Sequence, residues 1–226
     1  MLFKLGVCRS SWAWVGLLSL AFAMLWPATI GCQLGYFLTD PEKEQEVQAE
    51  YGKIDERKVA VVVWADQATL DIYRRARYRV GKAVTYYMKK NLPDARFVHT
   101  EDVVRLQEDR GAGWEGMSAK QMREALDCDL VLRVDLLEYT TRASGTRELR
   151  KGRIRATVNL YECGDNASED AVYETVVLAT YPPASIHGVS DMDESQILHE
   201  TVELFAQAVA RKFYDHGVSM RGPQGL

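Results

Sequence analysis

Cysteine, histidine and proline are all scarce in this chain: four, four and six among 226 residues. Four cysteines are too few for a disulfide-dense miniprotein, and six prolines with sixteen glycines exclude a collagenous or low-complexity chain. His99, His187, His199 and His216 stand apart, with no Cys or carboxylate at ligand spacing, so no metal and no zinc chemistry is expected. A basic excess is also missing, because 28 Lys+Arg face 32 Asp+Glu for a net charge of −4. No nucleic-acid partner is therefore expected. What remains is material for one globular domain, 47% hydrophobic and 27% charged.

The first 31 residues differ in kind from the rest. They hold two basic residues, Lys4 and Arg9, no acid, and an apolar run from Trp12 to Trp26. A charged start followed by an apolar core of about 15 residues reads as a secretory signal peptide. It runs into Thr29-Ile30-Gly31-Cys32, and a small residue directly before cysteine resembles the lipobox of bacterial lipoproteins. That resemblance implies diacylglycerol on the thiol of Cys32 and cleavage before it. Thr29 stands where the family usually carries Leu. The alternative is an uncleaved anchor, since Trp12 to Gly31 matches the roughly 20 residues a spanning helix needs. Both place the domain at a membrane surface outside the cytoplasm. Gln33, rather than an inner-membrane-retaining Asp, favours the outer membrane. Without Lys4 and Arg9 the mature chain is more acidic still.

The expected organisation is a signal over 1–31, the lipidated cysteine and a polar tether over 32–57, a periplasmic domain over 58–215 and a flexible tail over 216–226. Acids and lysine crowd Asp40 to Glu46, too polar to repay ordering, although Val47, Ala49 and Tyr51 alternate as a short edge strand would. Val59 to Trp64 is a β-branched run for a strand buried on both faces. Ile72, Ala76, Val80, Val84, Tyr87 and Met88 recur at helical spacing and predict one helix over 71–92, stopped by Pro93. A strand over 95–99, a helical turn from Thr100 to Leu106 and a capping box at Ser118 and Gln121 follow. Leu130 to Leu137 reads as a strand, the chain turns near Ser144-Gly145, and Arg153 to Tyr161 alternates strictly. In that segment Ile154, Ala156, Val158 and Leu160 face the core, and Arg155, Thr157, Asn159 and Tyr161 face the other way. A strand over 171–181 and a final helix striped with Ile197, Leu198, Val202, Phe205, Val209 and Phe213 complete the pattern. The fold class is thus α/β (α+β), a single domain with a mixed four- to five-stranded sheet in the order β-α-β-α-β-β-β-α.

No motif carries catalysis. Gly111-Ala112-Gly113-Trp114-Glu115-Gly116 has the letters of a dinucleotide fingerprint, but Glu108-Asp109-Arg110 precede it where an apolar strand is required, so it reads as a surface loop. Trp114 there is either a core plug or a partner contact. His199-Glu200 opens like a metalloprotease helix, but Glu203 stands at the second ligand position. Asp191, Asp193 and Glu194 suit the first turn of a helix without any calcium. Asn166-Ala167-Ser168 has sequon letters only. Cys128 and Cys163 have opposite parity across a hairpin whose core positions are even-numbered, so they fall on opposite faces unless a bulge shifts the register.

Once a Lys58-Val-Ala-Val-Val-Val strand, a long helix, Leu126-Asp127-Cys128-Asp129-Leu130-Val131-Leu132 and a meander stand in this order, the chain resembles the periplasmic domains of the curli secretion lipoprotein, the lipoprotein activators of penicillin-binding proteins and the N-terminal domain of the Tol translocation protein. The shared phrase is a helix, a small residue, Asp and an apolar strand, carried here by Ala125 to Val134. The resemblance implies fold and setting and assigns no residue a role. The expected function is a non-enzymatic envelope lipoprotein without cofactor, an interaction or assembly module with Trp114, Arg155, Asn159 and Tyr161 as partner contacts. The rival readings are a small-ligand binder or enzyme with a cleft at the strand ends, using acids such as Asp135 and Glu138, and a subunit of a homo-oligomer.

Overall fold

The computed structural model describes residues 44–143, 149–164, 168–183 and 188–219. The signal, Cys32, the turn at Ser144-Gly145, His187, most of the sequon and the residues after Ser219 lie outside them. The described chain runs β1 (Glu44–Val47), β2 (Lys58–Trp64), α1 (Gln67–Ile72), α2 (Ala76–Asn91), β3 (Arg96–Phe97), α3 (Thr100–Arg110), α4 (Ala119–Leu126), β4 (Leu130–Arg142), β5 (Arg150–Glu162), β6 (Tyr173–Tyr181), α5 (Glu194–Ala210) and β7 (His216–Ser219). None of these helices is long and apolar enough to cross a membrane.

Five strands form a mixed sheet in the order β3-β2-β4-β5-β6. β2 is parallel to β3 and β4, and β4, β5 and β6 form an antiparallel meander. β2 is the strand buried on both faces that its composition demands. Val59, Val61 and Val63 join one core with α2 and α5, while Ala60 and Val62 join a second with α3 and α4. Each of these valines contributes about 1.5–3 kcal/mol relative to exposure. The even positions Ile154, Ala156, Val158 and Leu160 are fully buried in the first core, as their alternation requires.

Local signals hold at the helix ends. Ser118 accepts from the Gln121 N–H while Gln121 accepts from the Ser118 N–H, a complete capping box for α4. Asp193 caps α5 by accepting from the Ser195 N–H at 3.0 Å. The stripe from Ile197 to Phe213 is buried.

Four features differ from the sequence reading. The single helix expected over 71–92 is broken at Tyr73–Arg75, because the Tyr73 hydroxyl bonds the Thr141 hydroxyl at 3.0 Å and its ring stacks edge-on against Tyr139 at 5.0 Å. That long-range attachment holds Tyr73 outside helical geometry, at φ −119° and ψ 67°. α3 continues to Arg110, past the turn expected to end at Leu106. His216–Ser219, read as frayed, forms β7 and pairs with β1. In β4 a bulge at Leu137 shifts the pairing from Leu136↔Ala156 to Glu138↔Arg155. Beyond it the odd residues Tyr139 and Thr141 face the first core, and Leu137 is left 55% exposed.

Candidate docking face and strand-end crevice

The second face of the sheet is only half covered. Trp114, Met122 and Leu126 pack over Ala60, Val62 and Val131, and the cover ends there. Beyond it, three strands present rungs set by their register: Arg133–Asn159–Glu174, then Asp135–Thr157–Val176, then Glu138–Arg155–Leu178. Leu137 on β4 and Val176 and Leu178 on β6 are 55%, 53% and 45% exposed, apolar positions on either side of Thr157 and Arg155 of β5. Ion pairs flank it, Arg133 to Asp135 at 2.8 Å and Arg153 to Glu138 at 3.4 Å. β6 is the sheet edge, so its outward backbone groups have no strand partner among the described residues.

Three of the four residues expected to contact a partner lie on this face. Arg155 is exposed at its centre, Tyr161 is half-buried at its covered end, and Asn159 is 9% exposed with no hydrogen-bond partner for Oδ1 among the described residues. Trp114 is different. It is 1% exposed, in a short 3-10 turn over Gly111–Trp114 that continues α3, so it is a core plug and no exposed contact. The segment read as a surface loop is ordered because this indole fills the second core and Arg77 lies over its ring at 5.4 Å. Burial holds the Arg77 guanidinium below its ordinary pKa, opposed by Glu115. Trp114 and Tyr161 do meet, with Met117, Met122 and Arg133, in the lining of a cavity of about 300 Å³ where cover and open face join. The apolar strip was missed in the sequence. Val176 and Leu178 alternate with Val177 and Ala179, and nothing in that pattern tells which set a helix covers.

A second concavity lies at the carboxyl end of β2. Consecutive crossovers leave β2 for β3 on one side and return to β4 on the other, and such a reversal opens a crevice above the strand ends. It encloses about 830 Å³ and is lined by Gln67, Asp71, Arg74, Arg75, Arg77 and Gln107 among others. Gln107 is 3% exposed and donates Nε2 to the Val63 carbonyl at 2.9 Å, and its Oε1 has no partner among the described residues. Asp135 and Glu138, the acids a catalytic reading would use, are the ion-pair partners described above and do not line it.

Other candidates resolve into structure. Glu194 accepts from the Thr141 hydroxyl at 2.6 Å and Asp193 caps α5, so these acids serve the helix start. His199 lies 4.0 Å from Glu203, one helical turn away. Among the described residues no group of three metal-type ligands occurs.

The cysteines overturn the parity expectation. Cys128 and Cys163 are each 2% exposed and belong to the same second core. Asp127 adopts a left-handed conformation at φ 49°, ψ 60°, and Cys128 precedes the start of β4, so strand alternation does not govern it. The Cys163 Sγ–H donates to the Tyr161 carbonyl at 4.0 Å. The mutual influence of the two thiols together with burial pushes the Cys128 thiol up, while Cys128 pulls Cys163 down.

No protein-family model matches this chain, and no curated protein does. Solved structures similar to it include the PelC dodecamer from Paraburkholderia phytofirmans, at 9% identity and TM-score 0.41, covering 76% of this chain and 97% of that one. Lipoprotein GNA1162 from Neisseria meningitidis is similar at 11% identity and TM-score 0.40, covering 62% and 89%. The hypothetical protein CT253 from Chlamydia trachomatis is similar at 15% identity and TM-score 0.43, covering 71% and 95%. At these values no residue role passes from them to this chain.

Proposed function

We propose that this chain is a membrane-tethered envelope lipoprotein whose α/β domain is a non-catalytic docking module, and that its partner binds the uncovered half of the second sheet face. The observation that carries the reading is the exposed apolar pair Val176 and Leu178 on the open edge strand β6, with exposed Leu137 across β5 beside the ion pairs of β4. An apolar centre with a polar rim is the anatomy of a protein interface, and an open edge strand offers backbone bonds to an added strand. Exposed Arg155 and half-buried Tyr161 supply directional polar contacts around that centre, with buried Asn159 beneath them. Lipid on Cys32 holds the domain at the membrane, with each buried acyl CH₂ contributing about 0.8 kcal/mol.

Two measurements test this. The intact mass of membrane-extracted protein should begin at an acylated Cys32, and an unprocessed N-terminus with a free thiol refutes the lipoprotein. A photo-crosslinker at Val176 should give one discrete envelope adduct that the same group at exposed Lys89 of α2 does not give. Equal adducts, or none, refute the docking face. If the adduct is a second copy of the chain, sedimentation will show self-association.

The strand-end crevice favours a second reading, a small-ligand site beside Arg74, Arg75 and Arg77. A ligand for the native state raises the melting temperature with concentration, so a metabolite panel read by thermal shift separates the two readings.

A further inference from the structure

We infer that Cys128 and Cys163 are a disulfide-forming pair, a covalent modification site that ties the α4–β4 turn to the end of β5. The inference rests on the envelope reading only for its setting, since that compartment supplies disulfide oxidants.

The placement is specific. The Cys163 N–H donates to the Asp129 carbonyl at 2.9 Å, which brings the end of β5 beside the residue that follows Cys128. Asp129 is itself held on both sides, its N–H donating to the Lys58 carbonyl at 2.7 Å and its Oδ2 accepting from the Lys58 N–H at 2.8 Å. Arg57 binds Glu162 at 2.8 Å, and Lys58 binds Asp127 at 2.9 Å, so each cysteine's chain neighbour is fastened to the start of β2. Two buried cysteines in one core, one bonded through its N–H to the residue that follows the other and both on a restrained backbone, are placed to form the link. Both also lie in the apolar second core.

The chemistry is thiol–disulfide exchange with a disulfide donor such as oxidised glutathione or a protein oxidase. The Cys163 thiolate attacks the donor disulfide, forming a mixed disulfide and expelling one donor thiolate. Cys128 then gives up its proton, attacks the Cys163 sulfur and expels the second. Two thiols are oxidised, one donor disulfide is reduced to two thiols, and the protons pass to them. The low exposure of both residues makes folding, or local opening at the α4–β4 turn, the moment of reaction.

The test uses the full-length chain in detergent, refolded with reduced and oxidised glutathione, acid-quenched, alkylated and peptide-mapped. The expected product is an intramolecular link between the Cys128 and Cys163 peptides, lighter by two hydrogens, in protein whose circular dichroism is native. Recovery of both as alkylated thiols in folded protein, or each as a glutathione adduct, overturns the inference. A second measurement compares urea midpoints with and without reductant. A reductant-dependent drop absent from Cys163→Ala is expected, and an equal response of both proteins refutes the link. Envelope-extracted protein mapped the same way separates the two readings. Reduced cysteines there, with the bond forming in refolded protein, count against the envelope setting and leave the pair standing.

Discussion

Replacing Gly152 by alanine tests how tightly α5 sits on the sheet. Gly152 lies in β5 under Thr201 of α5, and a Cβ built there would stand 1.8 Å from Thr201 Oγ1, 2.9 Å from Thr201 Cβ and 3.1 Å from Ile197 Cγ2. Real Cβ atoms essentially never approach within 3.0 Å, so the nearest contact is 1.2 Å too short. Rotating Thr201 would break its bond to the Ile197 carbonyl, at 2.6 Å, and leave the Cβ conflict in place. The alternative is to lift α5 from the core that Val202, Phe205 and Val209 fill. Overpacking of this kind costs about 1–3 kcal/mol, and the severity of the contact puts it at the upper end. The lower unfolded-state entropy of alanine offsets about 0.4–1 kcal/mol. Gly152→Ala should therefore destabilise the domain by about 2 kcal/mol, which lowers Tm by roughly 4–8 °C in a domain of this size. Urea denaturation gives the free energy. Thr201→Ala removes the nearest atom, so Gly152→Ala in that background should cost at least about 1 kcal/mol less, a coupling typical of contacting residues. A cost below about 0.5 kcal/mol, which is surface-like, or an identical cost in both backgrounds, would refute this account of the packing.

Tyr73→Phe removes the hydroxyl that meets Thr141 and should cost about 1 kcal/mol in urea, and an unchanged midpoint would show that the break between α1 and α2 has another cause. Val176→Asp and Leu178→Asp change exposed positions, so each should leave stability within about 0.5 kcal/mol while abolishing the Val176-centred envelope contact, and a large loss of stability would mean the face is covered in the folded chain. Glu50 is held below its ordinary value of 4.5 by bonds from Lys212 and Tyr173. A depressed carboxylate adds stability that is present above pH 4.5 and lost as pH falls through the lower folded value. The urea midpoint of the native protein should accordingly fall more steeply below pH 4.5 than that of Glu50→Gln, and parallel curves would exclude this linkage.

Periodicity alone determined most of the scaffold. The β-branched run of β2, the even-numbered core of β5, the capping box of α4 and the stripe of α5 each follow from local steric and hydrophobic rules that operate within a few residues. The polar side of β5 was legible too, which places Arg155, Asn159 and Tyr161 on one face. Tertiary structure decided the rest, because each remaining feature depends on residues far apart in sequence. Thr141 breaks the helix at Tyr73, the bulge at Leu137 reverses strand parity midway along β4, and β1 captures β7. Whether Trp114 is a plug or a contact depends on which part of the sheet it covers, and the exposure of Val176 and Leu178 depends on where that cover stops. Cys128 and Cys163 show the difference most directly. Alternation within a strand assigns them to opposite faces, but Cys128 lies two residues before its strand, where the left-handed Asp127 and the bonds of Asp129 set its direction.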